Sequence, residues 1–98
     1  MSTATMEKRF ANQRHAMLSG FAMAGAKGFT DEQAAQAVGN ERRGYWVRAS
    51  ELRKKDFIEP VMKKGEHEIR ESSQGGFQTV WKITPAGRQQ LKAWNKVS

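Results

Sequence analysis

The stretch "ERRGYWVRASELRKKDF", Glu41 to Phe57, decides how the rest of the chain is read. It holds six cations (Arg42, Arg43, Arg48, Arg53, Lys54, Lys55) and two adjacent aromatics, Tyr45 and Trp46. Its spacing predicts a helix. With Leu52 in a core, Ala49 and Tyr45 fall on the same face, three and seven residues earlier. Arg42, Arg43, Trp46, Arg48, Ser50, Arg53 and Lys54 are then left on the outer side, and Val47 also falls off the apolar stripe. Asp56 stands in the last turn, Phe57-Ile58 turns back inward, and Pro60 prevents the helix from continuing. Such a rod either lies on an anionic polymer or is a solvated helix that complements its own dipole with C-terminal cations.

Toward the N-terminus the sequence predicts two more helices. Residues 1–7 read as a flexible tail, and residues 8–98 as a single domain. From Lys8, good helix formers place Phe10, Met17, Leu18 and Phe21 on one face, until "GAKG" (Gly25–Gly28) stops the run. In "FTDEQAAQAV" Thr30 is an N-cap, and Gln33 completes a capping box. Asp31 and Glu32 suit the positive end of that helix. Phe29 can staple onto Ala34, Ala34, Ala35 and Val38 point inward, and Gly39-Asn40 breaks the helix.

Toward the C-terminus the period changes to two. "EHEIRES" (Glu66–Ser72) and "FQTVWKIT" (Phe77–Thr84) alternate as strands do, joined by the polar turn "SQGG". Lys63-Lys64 reads as a solvated loop before them. In "TPAGRQQLKAWN" Thr84 caps a last helix with Pro85 at its first position, and Leu91 and Trp94 form its apolar edge.

Composition narrows the function classes. The 98 residues carry a net charge of +7, which points to a polyanionic partner, most often nucleic acid. The chain has no Cys, which excludes disulfides and thiol chemistry and fits a reducing compartment. No apolar run approaches the ~20 residues a membrane span needs, and the N-terminus lacks a secretory signal pattern, so the expectation is cytoplasmic, nucleoid-associated and without membrane contact. His15 and His67 are too few and too distant for a metal motif, and His67 alternates with Glu66 and Glu68 across a strand. Ser72-Ser73 has no companion triad, and no glycine cluster leads into Gly-Lys-Ser/Thr. No catalytic residue, cofactor or metal is expected.

The order helix, helix, helix, two-strand hairpin, helix is an α+β arrangement with a three-helix core. Two short helices joined by a tight turn form a helix-turn-helix, and a hairpin directly after it supplies a wing. In detail the sequence resembles the winged helix-turn-helix superfamily, in the manner of small phage or bacterial regulators. "SELRKKDFIEP" resembles the exit of the recognition helix. "TVWKITPAGRQQL" resembles the last wing strand and the start of a C-terminal helix, and "GFTDEQAAQAVG" the second helix. The resemblance runs over roughly residues 10–94. It departs in two places: Asp56 replaces the usual exit glycine, and Arg42, Arg43 and Gly44 stand where small hydroxyl residues are usual. Asp tolerates a left-handed turn better than most residues.

The resemblance implies a sequence-specific double-stranded DNA-binding regulator. Arg42, Arg43, Trp46 and Val47 would read the major groove, Arg48 and Ser50 would belong to the same recognition-helix contact, and Arg53, Lys54 and Lys55 would lie on phosphates. Arg70, Ser72, Ser73, Gln74, Gly75 and Gln78 would form the wing contact, with Arg70 the cation reaching toward the duplex. Trp46 reads alternatively as packing against the wing or the second helix. Two other functions use the same fold. One is a protein-interaction module centred on Trp46, Val47 and Val80. The other is an excision or replication accessory factor that bends DNA. A homodimer paired through terminal helices is the expected assembly, and no effector pocket is legible.

Overall fold

The computed structural model describes residues 3–39 and 44–97. Among the described residues, four α-helices and six short strands follow in the order α1 (Thr3–Ala24), α2 (Asp31–Ala37), α3 (Tyr45–Lys54), β1 (Ile58–Pro60), β2 (Met62–Lys63), β3 (Glu66–His67), β4 (Ile69–Glu71), β5 (Phe77–Thr79), β6 (Trp81–Ile83) and α4 (Pro85–Val97), with a 3-10 turn at Gly25–Lys27 after α1. The first helix begins at Thr3 rather than Lys8, so the expected tail is helical from that residue onward.

The core is where the helical period places it. Met17, Leu18 and Phe21 of α1, Ala34 and Ala35 of α2, and Ala49 and Leu52 of α3 are almost wholly buried, with Ile58 and Ile83 closing it from the sheet. Tyr45, Phe57, Leu91 and Trp94 pack half-buried around it. Full burial of a side chain of this size stabilises by roughly 1.5–3 kcal/mol.

Local signals set the helix ends. The Thr30 hydroxyl accepts from the Gln33 amide at 3.1 Å, and the Gln33 side chain accepts from the Thr30 amide at 3.0 Å. The α3 exit is a Schellman turn: the Phe57 amide donates to the Leu52 carbonyl, and the Asp56 amide to that of Arg53. Asp56 takes the left-handed conformation at φ 58°, as the missing exit glycine requires. Thr84 joins this exit to α4. Its amide donates to the Phe57 carbonyl, its hydroxyl donates to the Asp56 carbonyl at 2.7 Å, and the same hydroxyl accepts from the Gly87 amide. A Cβ at Gly87 would collide with the Phe57 carbonyl oxygen, so only glycine lets α4 approach so closely.

The sheet is richer than the single hairpin expected from alternation. β1 pairs antiparallel with β6, and Phe29 exchanges both backbone hydrogen bonds with Trp81 on the other edge of β6. Beyond this base the sheet divides. β2 pairs only with β3, and β4 with β5. The division point is a ring of three hydrogen bonds: Val61 amide to Val80 carbonyl, Val80 amide to Glu68 carbonyl, and Glu68 amide to Val61 carbonyl, each 2.8–2.9 Å. Three ribbons meet there, one rooted in the body and two ending in hairpin tips. The branch also breaks the expected alternation. Phe77 does not follow Ile83 inward but stands 70% exposed, whereas Val80 is fully buried. Below the branch the strand lies on the core; above it the strand belongs to a projecting arm.

Candidate nucleic-acid interface

Helix α3 presents the outer surface expected of it in part. Trp46 (59% exposed) and Val47 face solvent in its first turn, with Tyr45 turned to the core and edge-on to Trp46 at 5.4 Å between ring centres. Trp46 is therefore not a core residue, and the ring contact it makes is with its neighbour Tyr45. Gly44 caps the helix in a left-handed conformation, φ 62°. Arg42 and Arg43, expected at the reading end, lie outside the described residues. Ser50 is half-buried and Lys54 exposed.

Two arginines expected on the outer face bond inward instead. Arg48 pairs with Glu51 one turn on, at 3.0 Å, and Glu51 also accepts from Arg14 of α1 at 2.7 Å. Arg53 does not stand free for phosphates. Its guanidinium contacts both carboxylate oxygens of Asp31 at 3.0 and 3.1 Å and lies 4.7 Å from the ring centre of Trp81. One side chain thus ties α3 to the start of α2 and to the root of the wing. Burial pushes the Asp31 carboxyl above the ordinary 3.8; the charge of Arg53 and its hydrogen bond oppose the rise without cancelling it.

The wing shows a larger departure. Arg70, expected to reach toward the duplex, is turned to the body. It donates to the carbonyls of Lys27 and Gly28, to the Gln33 side chain and to Glu68, at 2.9–3.1 Å. Gln78 shares its side of the ribbon and accepts from the Glu32 amide at 3.4 Å. At the tip, the Ser73 amide and hydroxyl grip the two oxygens of Glu32 at 2.9 and 2.7 Å. These bonds lower the Glu32 carboxyl below its ordinary 4.5. Ser72 receives the Gln74 amide within the turn, and Gly75 supplies its positive φ of 87°. Five of the six residues expected to meet DNA are therefore partly or wholly occupied in building this arm and latching it to α2; Gln74 keeps an exposed side chain.

The ion pairs decide where the surplus charge lies. Arg14, Arg48, Arg53, Arg70 and Lys82 each face a carboxylate. Lys54, Lys55, Lys63 and Lys64, like Lys27 and the α4 cations Arg88, Lys92 and Lys96, are exposed and form no ion pair among the described residues. Sequence reasoning missed the second hairpin. Its signal was Lys64-Gly65 between two short polar runs, which permits a two-residue turn. A cleft lined by Arg14, Glu51, Leu52, Lys55, Phe57, Gln90 and Trp94 was not anticipated either. Among the described residues no three His, Asp or Glu side chains gather as a metal site, and no helix is long and apolar enough to cross a membrane.

No family model and no curated protein matches the chain. Among solved structures, it is similar to one described as an "X-ray structure of PadR-like Transcription factor from bacteroid fragilis". The TM-score is 0.64 at 15% identity, over 98% of this chain and 92% of that one. The architecture is the winged helix-turn-helix, with α2 and α3 as the two-helix unit and a wing that branches.

Proposed function

We propose that the protein is a double-stranded DNA-binding regulator that seats the outer face of α3 in the major groove. The observation that carries this reading is the outer surface of α3. On the second helix of a helix-turn-helix, Trp46, Val47 and Lys54 stand exposed on a chain of net charge +7. A major groove admits one α-helix, and residues near the helix start meet the base edges. Trp46 and Val47 hold that place, and Arg42 and Arg43 precede them in the sequence, separated by Gly44 and Tyr45. Arginine to guanine is the commonest specific contact, worth roughly 1–3 kcal/mol of discrimination. Lys54, at the far end, suits a phosphate. The solved structure of similar fold is described as a transcription factor, which adds to the support.

Selection of bound sequences from a random duplex library tests the reading and reports half-site symmetry, hence whether a homodimer binds. Recovery of no enriched sequence, together with affinity that does not respond to salt, defeats it. In the positive case Arg43→Ala relaxes base preference, whereas Lys54→Ala weakens all sequences about equally.

A second reading is favoured by one observation, the exposure of Trp46 beside Val47. Large aromatics dominate many protein interfaces. Val80, expected in that patch, is buried and cannot contribute. Retention of a single protein partner after nuclease treatment, with its loss in Trp46→Ala, would select a protein-docking role.

A further inference from the structure

We infer that the arm of the wing that lies along the phosphate backbone is the Met62–His67 hairpin, with Lys63 and Lys64 at its tip, and not the Ser72–Gly76 arm. The inference rests on the DNA-binding reading above and names which part of the wing performs it.

The two arms differ in what their polar groups already do. In the β4–β5 arm, one side carries Arg70 and Gln78, both bonded to the region around α2. The tip holds Ser73 on Glu32 through two hydrogen bonds. A phosphate arriving there would have to displace a carboxylate from its donors while facing that carboxylate and Glu71. Like charges at close range oppose this approach.

The β2–β3 arm differs: its tip carries two lysines against one exposed carboxylate, Glu66, and neither lysine is ion-paired with it. Met62, Lys63, Lys64, Gly65, Glu66 and His67 are all exposed. No hydrogen bond or ion pair is formed by the Lys63 or Lys64 side chain among the described residues. Lys63 sits opposite Glu66, and the two residues between them, Lys64 and Gly65, take φ 54° and 81°. Positive φ at both central positions is the type I′ turn, the tightest hairpin connection. Asn or Gly would fill the first position with less strain; a lysine stands there instead, at the outermost point of the arm. A rigid turn holds its cation without the freedom of a long loop, so less entropy is lost on contact. The three-bond ring at Val61, Val80 and Glu68 fixes the root of the arm.

The test is the salt dependence of binding to a mixed-sequence DNA duplex by the full chain. The arm variant is Lys63→Gln with Lys64→Asn; Asn accepts the positive φ, so the turn is kept. A charge-matched control is Lys92→Gln with Lys96→Gln on α4, and Gln74→Ala probes the other arm. Amide NMR spectra check that each variant keeps the fold. Each phosphate contact contributes ~0.9 to the slope of log affinity against log salt, so the expected loss in the arm variant is about 1.8. The α4 control keeps the wild-type slope, and Gln74→Ala keeps both slope and affinity. A wild-type slope in the arm variant, a loss equal to that of the α4 control, or a marked loss of affinity in Gln74→Ala overturns the assignment. A flat response of the wild-type protein itself overturns the DNA-binding reading instead, so the two failures are distinguishable.

Discussion

The helical body and the branched sheet are held together in different ways. In the body, Met17, Leu18, Phe21, Ala34, Ala35, Ala49 and Leu52 exclude water almost completely. In the arms above the branch, Met62, Ile69 and Phe77 remain exposed, and the β4–β5 arm is positioned by directional bonds from Arg70 and Ser73. Apolar burial is shared among many neighbours and fails cooperatively. A hydrogen bond contributes only about 0.5–1.5 kcal/mol net and fails alone. The body should therefore unfold as one unit, while the arms open locally at lower cost.

The largest expected effect comes from breaking the body. Leu52→Ala removes a buried side chain from α3 and should cost about 2–5 kcal/mol in urea unfolding, with every probe shifting together. A loss confined to α3 amides would contradict the contrast. Arg53→Met comes next because Arg53 joins the two regions. It leaves the half-buried Asp31 carboxylate without its cation, at a cost of about 1–3 kcal/mol. The Asp31 titration, followed by carboxyl NMR, should move further upward. The sign can be worked out: a carboxyl raised in the folded state binds its proton more tightly there than when unfolded. Its ionisation is therefore a cost at neutral pH, and that cost disappears as pH falls through the raised value toward 3.8. The variant should widen that window.

Thr30→Ala removes the hydroxyl half of the capping box at the start of α2 and should cost about 0.5–2 kcal/mol. It should also loosen the latched arm, since Arg70 and Thr30 share Gln33 as a partner. The smallest global effect belongs to Glu32→Gln. Overall stability should hardly change, while hydrogen exchange at the Ser73 amide accelerates. In the native protein the Glu32 carboxyl is lowered on folding, so its contribution is complete above about 4.5 and is lost as pH falls through the folded value. Neighbouring Asp31 and Glu32 thus respond to acid with opposite signs, the first stabilising and the second releasing. If Glu32→Gln shifted the global transition as far as Leu52→Ala, the distinction between body and arm would be wrong.

The same division separates what was legible in the sequence from what was not. The capping box of Thr30 and Gln33, the burial of Ala49 and Leu52, and the left-handed Asp56 follow from residues within one or two turns of each other, where period and capping chemistry act. The sheet base was illegible because β1 is three residues long and its partner β6 lies more than twenty residues further on. The Phe29–Trp81 bridge is a single residue pair that no alternation can announce. The site suffered most. Arg53 and Arg70 look like exposed cations in one dimension, yet their partners Asp31 and Gly28 lie 22 and 42 residues away. A guanidinium seeks a carboxylate or carbonyl wherever the fold supplies one, and nothing local reveals the meeting.

The contact between Thr84, Gly87 and the α3 exit has a mechanical consequence. One hydroxyl serves both the carbonyl of Asp56 at the α3 exit and an amide in the first turn of α4, and no side chain cushions the gap. The two rods behave as a welded elbow rather than as separate struts. A torque applied to α4 is delivered to α3 with little slack.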